Sequence, residues 1–172
     1  MTIRFEVVPH DSKVWIEGSS SLHPIHGEAS GLTGYIEAQV KDGGLDLSAP
    51  ARGRFELAVE ELKSGNTLQD REMYRRIDAR RYPTIVGEID EVTPLNGTRY
   101  RVKGRLRFHG VEQAVDAEAK IEVGSDGSIS AEGEHAFDIR SFGVEPPKIL
   151  MLRVHPEVKV KVKVVARAEG GA

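Results

Sequence analysis

Six histidines and no cysteines limit the chemistry this chain can do. Without cysteine there is neither a disulfide framework nor a thiolate metal site. No pair among His10, His23, His26, His109, His135 and His155 has the i,i+4 spacing that sets two imidazoles on one helix face. His23 and His26 lie three apart in a proline-containing loop, and His109 ends a strand; a common rim is the one arrangement that would gather them. No metal ligand is assigned. Ser20, Ser64 and Ser141 sit in polar turns outside any Gly-x-Ser-x-Gly context. Asp70 with Glu72, and Asp78 with Arg81, read as helix-surface charges. Nothing resembles a nucleophile held by a base, so the chain reads as a non-enzyme.

His135 stands apart, because alternation points it inward with Ala131, Gly133 and Phe137. A lone inward histidine is either a hydrogen-bonded structural residue or a contact to the polar part of a bound ligand. The elements around it decide which. Tyr100, Val102, Gly104, Leu106 and Phe108 alternate with basic residues from Arg99 to Arg107; Val115, Ala117, Ala119, Ile121 and Val123 alternate with acidic ones. Pairing the two runs across a His109–Ala114 turn sets Phe108 beside Val115, Leu106 beside Ala117, and Arg105 against Glu118. Further hairpins are expected over Asp42-Gly43-Gly44 and Gly124–Gly127, with a turn around Pro94–Gly97. The runs Ile3–Val7 and Val14–Ile16, separated by Pro9–Ser12, read as a first hairpin. Ser19–Gly27 reads as an irregular rim segment, Ala51–Leu62 as a long strand, and Val158–Val164 as the last strand. The lysines at 159, 161 and 163 form an edge-protecting or solvating stripe.

About eight strands with one apolar face close into an antiparallel barrel. Small inward residues (Gly34, Gly53, Gly104, Gly133, Ala117, Ala119, Ala131) are consistent with a hollow lumen, and equally with bulges where the sheet curls. A single short amphipathic helix is expected near residues 67–80, capped by Asn66 or Thr67, with Met73 and Ile77 on one face. Tyr82-Pro83 ends that helical region. A lone helix in an all-β chain serves to plug or cover an opening.

At 172 residues, 39% hydrophobic and 30% charged, the chain is expected to form one domain spanning residues 1–172. Its formal net charge of −3 argues against non-specific nucleic-acid binding, and the basic strand is balanced by its acidic neighbour. The first residues contain no apolar signal core and no run long enough to span a membrane, so a cytoplasmic, soluble protein without stable membrane insertion is expected.

From Ser64 to Val115 the sequence resembles the YceI-like family, lipocalin-like proteins that bind polyisoprenoid or similar long-chain lipids. The resemblance is carried by Gly65-Asn66, Asp70, Met73, Ile77, Asp78-Ala79 and Tyr82-Pro83-Thr84-Ile85, then by Leu106-x-x-His109-Gly110-Val111. Phe137, Ile139, Phe142-Gly143 and the closing strand extend it. Gln69 and Gly87 depart from the family pattern, which usually has an arginine and an aromatic residue there. The resemblance implies an extended barrel whose lumen takes an isoprenoid, quinone or fatty-acyl chain without any cofactor, and it permits a homodimer. The wall would be Phe55, Leu57, Leu106, Phe108, Ile121 and Phe137, with Met73 and Ile77 closing from the helix and His135 and Tyr82 meeting a head group. The competing expectation is a filled barrel, a structural, interaction or stress-related protein working through its outer face.

Overall fold

Apolar residues recur at every second position through most of the chain, and each such run is a strand. The computed structural model describes residues 1–22, 24–146, 148–149 and 152–168. Among these the strands are β1 (Ile3–Val7), β2 (Lys13–Ser19), β3 (Pro24–Ala29), β4 (Thr33–Lys41), β5 (Gly44–Asp46), β6 (Arg52–Ala58), β7 (Thr84–Asn96), β8 (Arg99–Phe108), β9 (Val111–Val123), β10 (Ile129–Asp138), β11 (Lys148–Ile149), β12 (Leu152–Arg153) and β13 (Glu157–Ala168). The helix α1 (Thr67–Arg76) lies between β6 and β7. Neighbours run β1-β4-β6-β7-β8-β9-β10-β13, and β1 pairs with β13 to close an antiparallel barrel of eight strands. This is the expected all-β architecture.

β1 and β2 do not form the expected hairpin. β13 is long enough to seat both along one side: β2 pairs with Lys159–Lys163 and β1 with Ala166–Ala168. The Pro9–Asp11 turn steps the chain from one to the other. Buried Ser12 mends the gap there, its hydroxyl accepting from Val165 N–H at 3.0 Å and donating to Val8 C=O at 2.9 Å. The supposedly irregular Ser19–Gly27 includes most of β3, which pairs with β2 from Pro24 onward. β13 is therefore interior to the sheet, and its lysines guard no edge. Lys159 meets Glu134, while Lys161 and Lys13 flank the Trp15 ring at 5.7 Å each.

The β8–β9 register is four residues tighter than the sequence reading: Phe108 faces Val111, Leu106 faces Gln113 and Val102 faces Ala117. His109 and Gly110 close the hairpin in two residues with φ of 55° and 72°, a mirror-image turn unexpected for a histidine. The even shift leaves every side chain on its expected face. Pro94 lies within β7 rather than in the turn, beside a register irregularity between Pro94 and Asn96, where a proline is tolerated. The Ala51–Leu62 run splits into β6 and a tight Val59–Glu61 turn.

Asn66 caps α1, its side chain accepting from Leu68 and Gln69 N–H. The helix ends at Arg76, before Tyr82-Pro83, because Asp78 takes φ 51° and a Schellman turn forms. Ala79 N–H donates to Tyr74 C=O at 2.9 Å and Asp78 N–H to Arg75 C=O at 3.2 Å. Glycine normally marks that position, and an aspartate there hides it.

The core is uneven along the barrel. Where β9 turns into β10, Phe5, Ile129 and Ala166 are almost fully buried and packed by Ile3, Ile36, Val40, Leu45 and Val123. At the opposite end, where β8 turns into β9, Val59, Ile77, Ala79 and Val144 tie α1 and the loops together. Two inward glycines shape the wall between them. A Cβ on Gly34 or on Gly104 would lie 2.0 Å from the carbonyl oxygen of Arg54 or Glu88, so here the backbone is bent against its neighbour.

Candidate ligand cavity

Alternation sends one face of β6 to β10 and β13 inward, and from mid-barrel to the helical end these side chains do not meet. They enclose a cavity of about 500 Å³ lined almost entirely by apolar atoms. Phe55, Leu57, Leu106, Phe108, Ile121, His135 and Phe137 all line it, and Met73 and Ile77 reach it from α1. Tyr82 is not brought to it. That ring packs edge-on against His109, centroids 5.0 Å apart, over a Gly110 whose missing Cβ leaves it room.

The interior glycines discriminate between a hollow and a filled barrel. The space above Gly53 is taken by the Phe55 ring, 3.2 Å from where a Cβ would stand. Gly87, Gly104 and Gly133 border the cavity, with Ala117, Ala119 and Ala131 beside them. The barrel is thus filled at one end and hollow at the other.

Some wall residues carry no periodic signal. Phe142, in the turn Ile139–Phe142, is buried and packs against Phe108 and Phe137 at centroid distances of 5.7 and 6.1 Å. Ile139, Val144 and Val154 join it from non-strand segments, and Ile16 and Ile25 come from β2 and β3. Apart from Ile16, which belongs to the alternating Val14–Ile16 run, their sequence is irregular, and only the phenylalanine preceding a left-handed glycine, Gly143 at φ 74°, hints at a turn folded inward.

Polar groups gather at the rim beside α1: Lys63, Ser64, Gln69, Asp70 and Arg76, with His26 from β3. Asp70 accepts from the Ser64 amide at 2.9 Å and hydroxyl at 2.7 Å, tying the helix to the preceding loop. The Tyr74 hydroxyl is shared between the carbonyls of Leu62 at 2.6 Å and Glu60 at 3.0 Å. Burial, with Asp70, Glu60 and Glu61 nearby, raises that hydroxyl above its ordinary 10.0 and keeps the donor protonated. Deeper in the wall, His135 packs edge-on to Phe137 at 4.7 Å and has no hydrogen-bond partner among the described residues.

Two other histidines, His109 and His155, serve the fold. His109 Nδ1 lies 2.9 Å from Phe142 C=O, and His155 Nδ1 lies 2.8 Å from the Ser19 hydroxyl. His23 lies outside the described residues. Among those described, no three His, Asp or Glu side chains converge as a metal site would require. On the outer face Arg99, Arg101 and Arg105 of β8 are met by carboxylates from the neighbouring strands. Arg101 chelates Asp116 at 2.8 and 2.7 Å; Arg105 reaches Asp90 at 3.0 Å and Glu88 at 2.7 Å; Arg99 bonds Glu118. These hydrogen bonds hold the carboxyls of Asp90 and Asp116 below their ordinary 3.8. No helix of the described residues is long and apolar enough to cross a membrane.

The family model of the YceI-like domain matches residues 5–166. Among solved structures, BcnA of Burkholderia cenocepacia superposes with a TM-score of 0.78 at 18% identity, over 92% of this chain and 98% of that one. A polyisoprenoid binding domain from Saccharophagus degradans, implicated in plant cell wall breakdown, gives 0.79 at 12% identity over 97% and 99%. The Campylobacter jejuni YCEI protein gives 0.66 at 14% identity over 83% and 84%. At these identities the likeness is one of fold. No curated protein matches the sequence.

Proposed function

The chain belongs to the YceI-like family, and we propose that it is a non-enzymatic carrier holding one long-chain apolar ligand, a polyisoprenoid, isoprenoid quinone or fatty-acyl compound, in the barrel lumen. The observation that carries this reading is the apolar cavity of about 500 Å³, a volume within the range of small-molecule sites. Affinity would come from transferring methylene groups out of water at about 0.8 kcal/mol each. Ten of them amount to roughly 8 kcal/mol, the gross scale of a micromolar Kd before the cost of ordering the chain. Phe55, Leu57, Leu106, Phe108, Ile121 and Phe137 form the wall, Met73 and Ile77 close it from α1, and His135 offers an unengaged polar contact inside it. Tyr82 has no part in this reading. The likeness in fold to a domain described as polyisoprenoid binding supports the ligand class.

Native mass spectrometry of freshly purified protein, followed by organic extraction, tests the proposal. An adduct of isoprenoid or acyl mass is expected, together with its loss in a folded Leu106→Glu variant. A clean apo mass that persists after incubation with quinones, polyprenyl phosphates and fatty acids would overturn it, as would normal loading of Leu106→Glu.

A further inference from the structure

Helix α1 has a second face. Met73 and Ile77 turn into the cavity, whereas Leu68, Arg71 and Arg75, spaced by three and four, share the opposite side. Leu68 is 68% exposed and the Arg75 side chain 75% exposed. Arg80 and Arg81 follow in the turn after the helix, both exposed. Residues 67–82 hold five arginines against three acids in a chain of net charge −3. Arg75 and Arg76 share Glu72, but Arg71, Arg80 and Arg81 have no carboxylate partner among the described residues. This is the reverse of the β8 ladder, where Arg99, Arg101 and Arg105 are each met by acids.

We propose that this face docks on an anionic lipid bilayer, setting the rim of the cavity against the membrane surface. Guanidinium groups without a carboxylate partner, Arg81 lying over the Tyr82 ring at 5.3 Å, complement lipid phosphates, and an exposed leucine among them enters the acyl boundary. A nucleic-acid surface would use the charge but has no use for Leu68 or for an apolar cavity directly behind the same helix. The purpose of docking rests on the carrier reading: a ligand exchanged with a bilayer need not cross water. Docking itself is measured independently of loading.

The experiment is co-sedimentation of the whole protein with vesicles of phosphatidylcholine alone or mixed equally with phosphatidylglycerol. Binding to the mixed vesicles only, released by high salt, is expected. Each arginine near an anionic surface strengthens binding roughly fivefold, so Arg71→Gln with Arg80→Gln and Arg81→Gln should weaken it about a hundredfold. The single Arg71→Gln, at an exposed helix position, should weaken it roughly fivefold if the triple variant folds poorly. Thermal midpoint and extractable ligand should be unchanged in both. Docking is overturned by no binding, by equal binding to neutral vesicles, by undiminished binding of the folded variants, or by a DNA duplex held as tightly. A protein that binds vesicles with a permanently empty lumen keeps the docking and loses the carrier reading; a loaded protein that ignores vesicles does the opposite.

Discussion

At the end of the barrel where β9 turns into β10, Phe5 and Ile129 are each 1% exposed and the lumen is closed by side chains. At the other end, strands of the same alternating pattern stand around about 500 Å³ of unfilled space. The difference does not lie in the sheet, which is continuous. It lies in what faces inward and in which strand lies beside β13. Toward the closed end that strand is β1, bringing Phe5; toward the open end it is β2, bringing Val14, Ile16 and Gly18 with β3 behind it. Stability should therefore be concentrated at the closed end and binding at the open one, and substitutions can separate the two.

The largest effect expected is from Phe5→Ala, which opens a cavity in the packed end. A loss of about 3–5 kcal/mol in urea unfolding is predicted, with ligand loading per folded molecule retained. Lost loading in the folded fraction would show that the two ends are not separable. Next comes a pair on the hollow wall. Gly104→Ala places a Cβ against Glu88 C=O and should cost about 1–3 kcal/mol. Gly87→Ala has Leu106 Cδ1 as its nearest neighbour at 3.9 Å and should be neutral or stabilising by about 0.5–1 kcal/mol. Equal unfolding midpoints would refute this account of the wall.

Asn66→Ala removes the cap of α1 at a cost of about 1 kcal/mol. Faster hydrogen exchange is expected at the Leu68 and Gln69 amides, with that of Ile129 unchanged. The smallest effect is acid sensitivity of the outer ladder, which runs past both ends alike. Asp90 and Asp116 titrate below 3.8 in the folded protein, so their contribution is complete above that pH and is lost as the pH falls through the lowered folded values. Arg101→Gln with Arg105→Gln should flatten that part of the thermal-midpoint curve, and an unaltered acid slope would assign it to other carboxylates.

Much of this contrast is legible in the sequence, because alternation fixes faces. The inward sets of β8, β9 and β10 and nine cavity-lining residues follow from parity and family resemblance. What parity cannot supply is pairing. The β8–β9 offset depended on a histidine at positive φ, the end of α1 on an aspartate at positive φ, and the placement of β1 and β2 on a strand some 150 residues further on. Phe142 and Ile139 lie in a turn with no period to read. Tyr82 lies outside the cavity because its ring packs on His109, a contact set by the same His109-Gly110 turn.

The divided seat along β13 also bears on how the chain comes off the ribosome. Phe5 pairs with Ala168, so β1 waits for a partner made long after it, while β2 and β10 wait for the same strand. Until Glu157–Ala168 has emerged, those strands carry unpaired edges, the condition in which nascent chains associate wrongly. Ring closure by so distant a contact is slow, and this twelve-residue strand is where a helper of synthesis, or a truncation, would act most strongly.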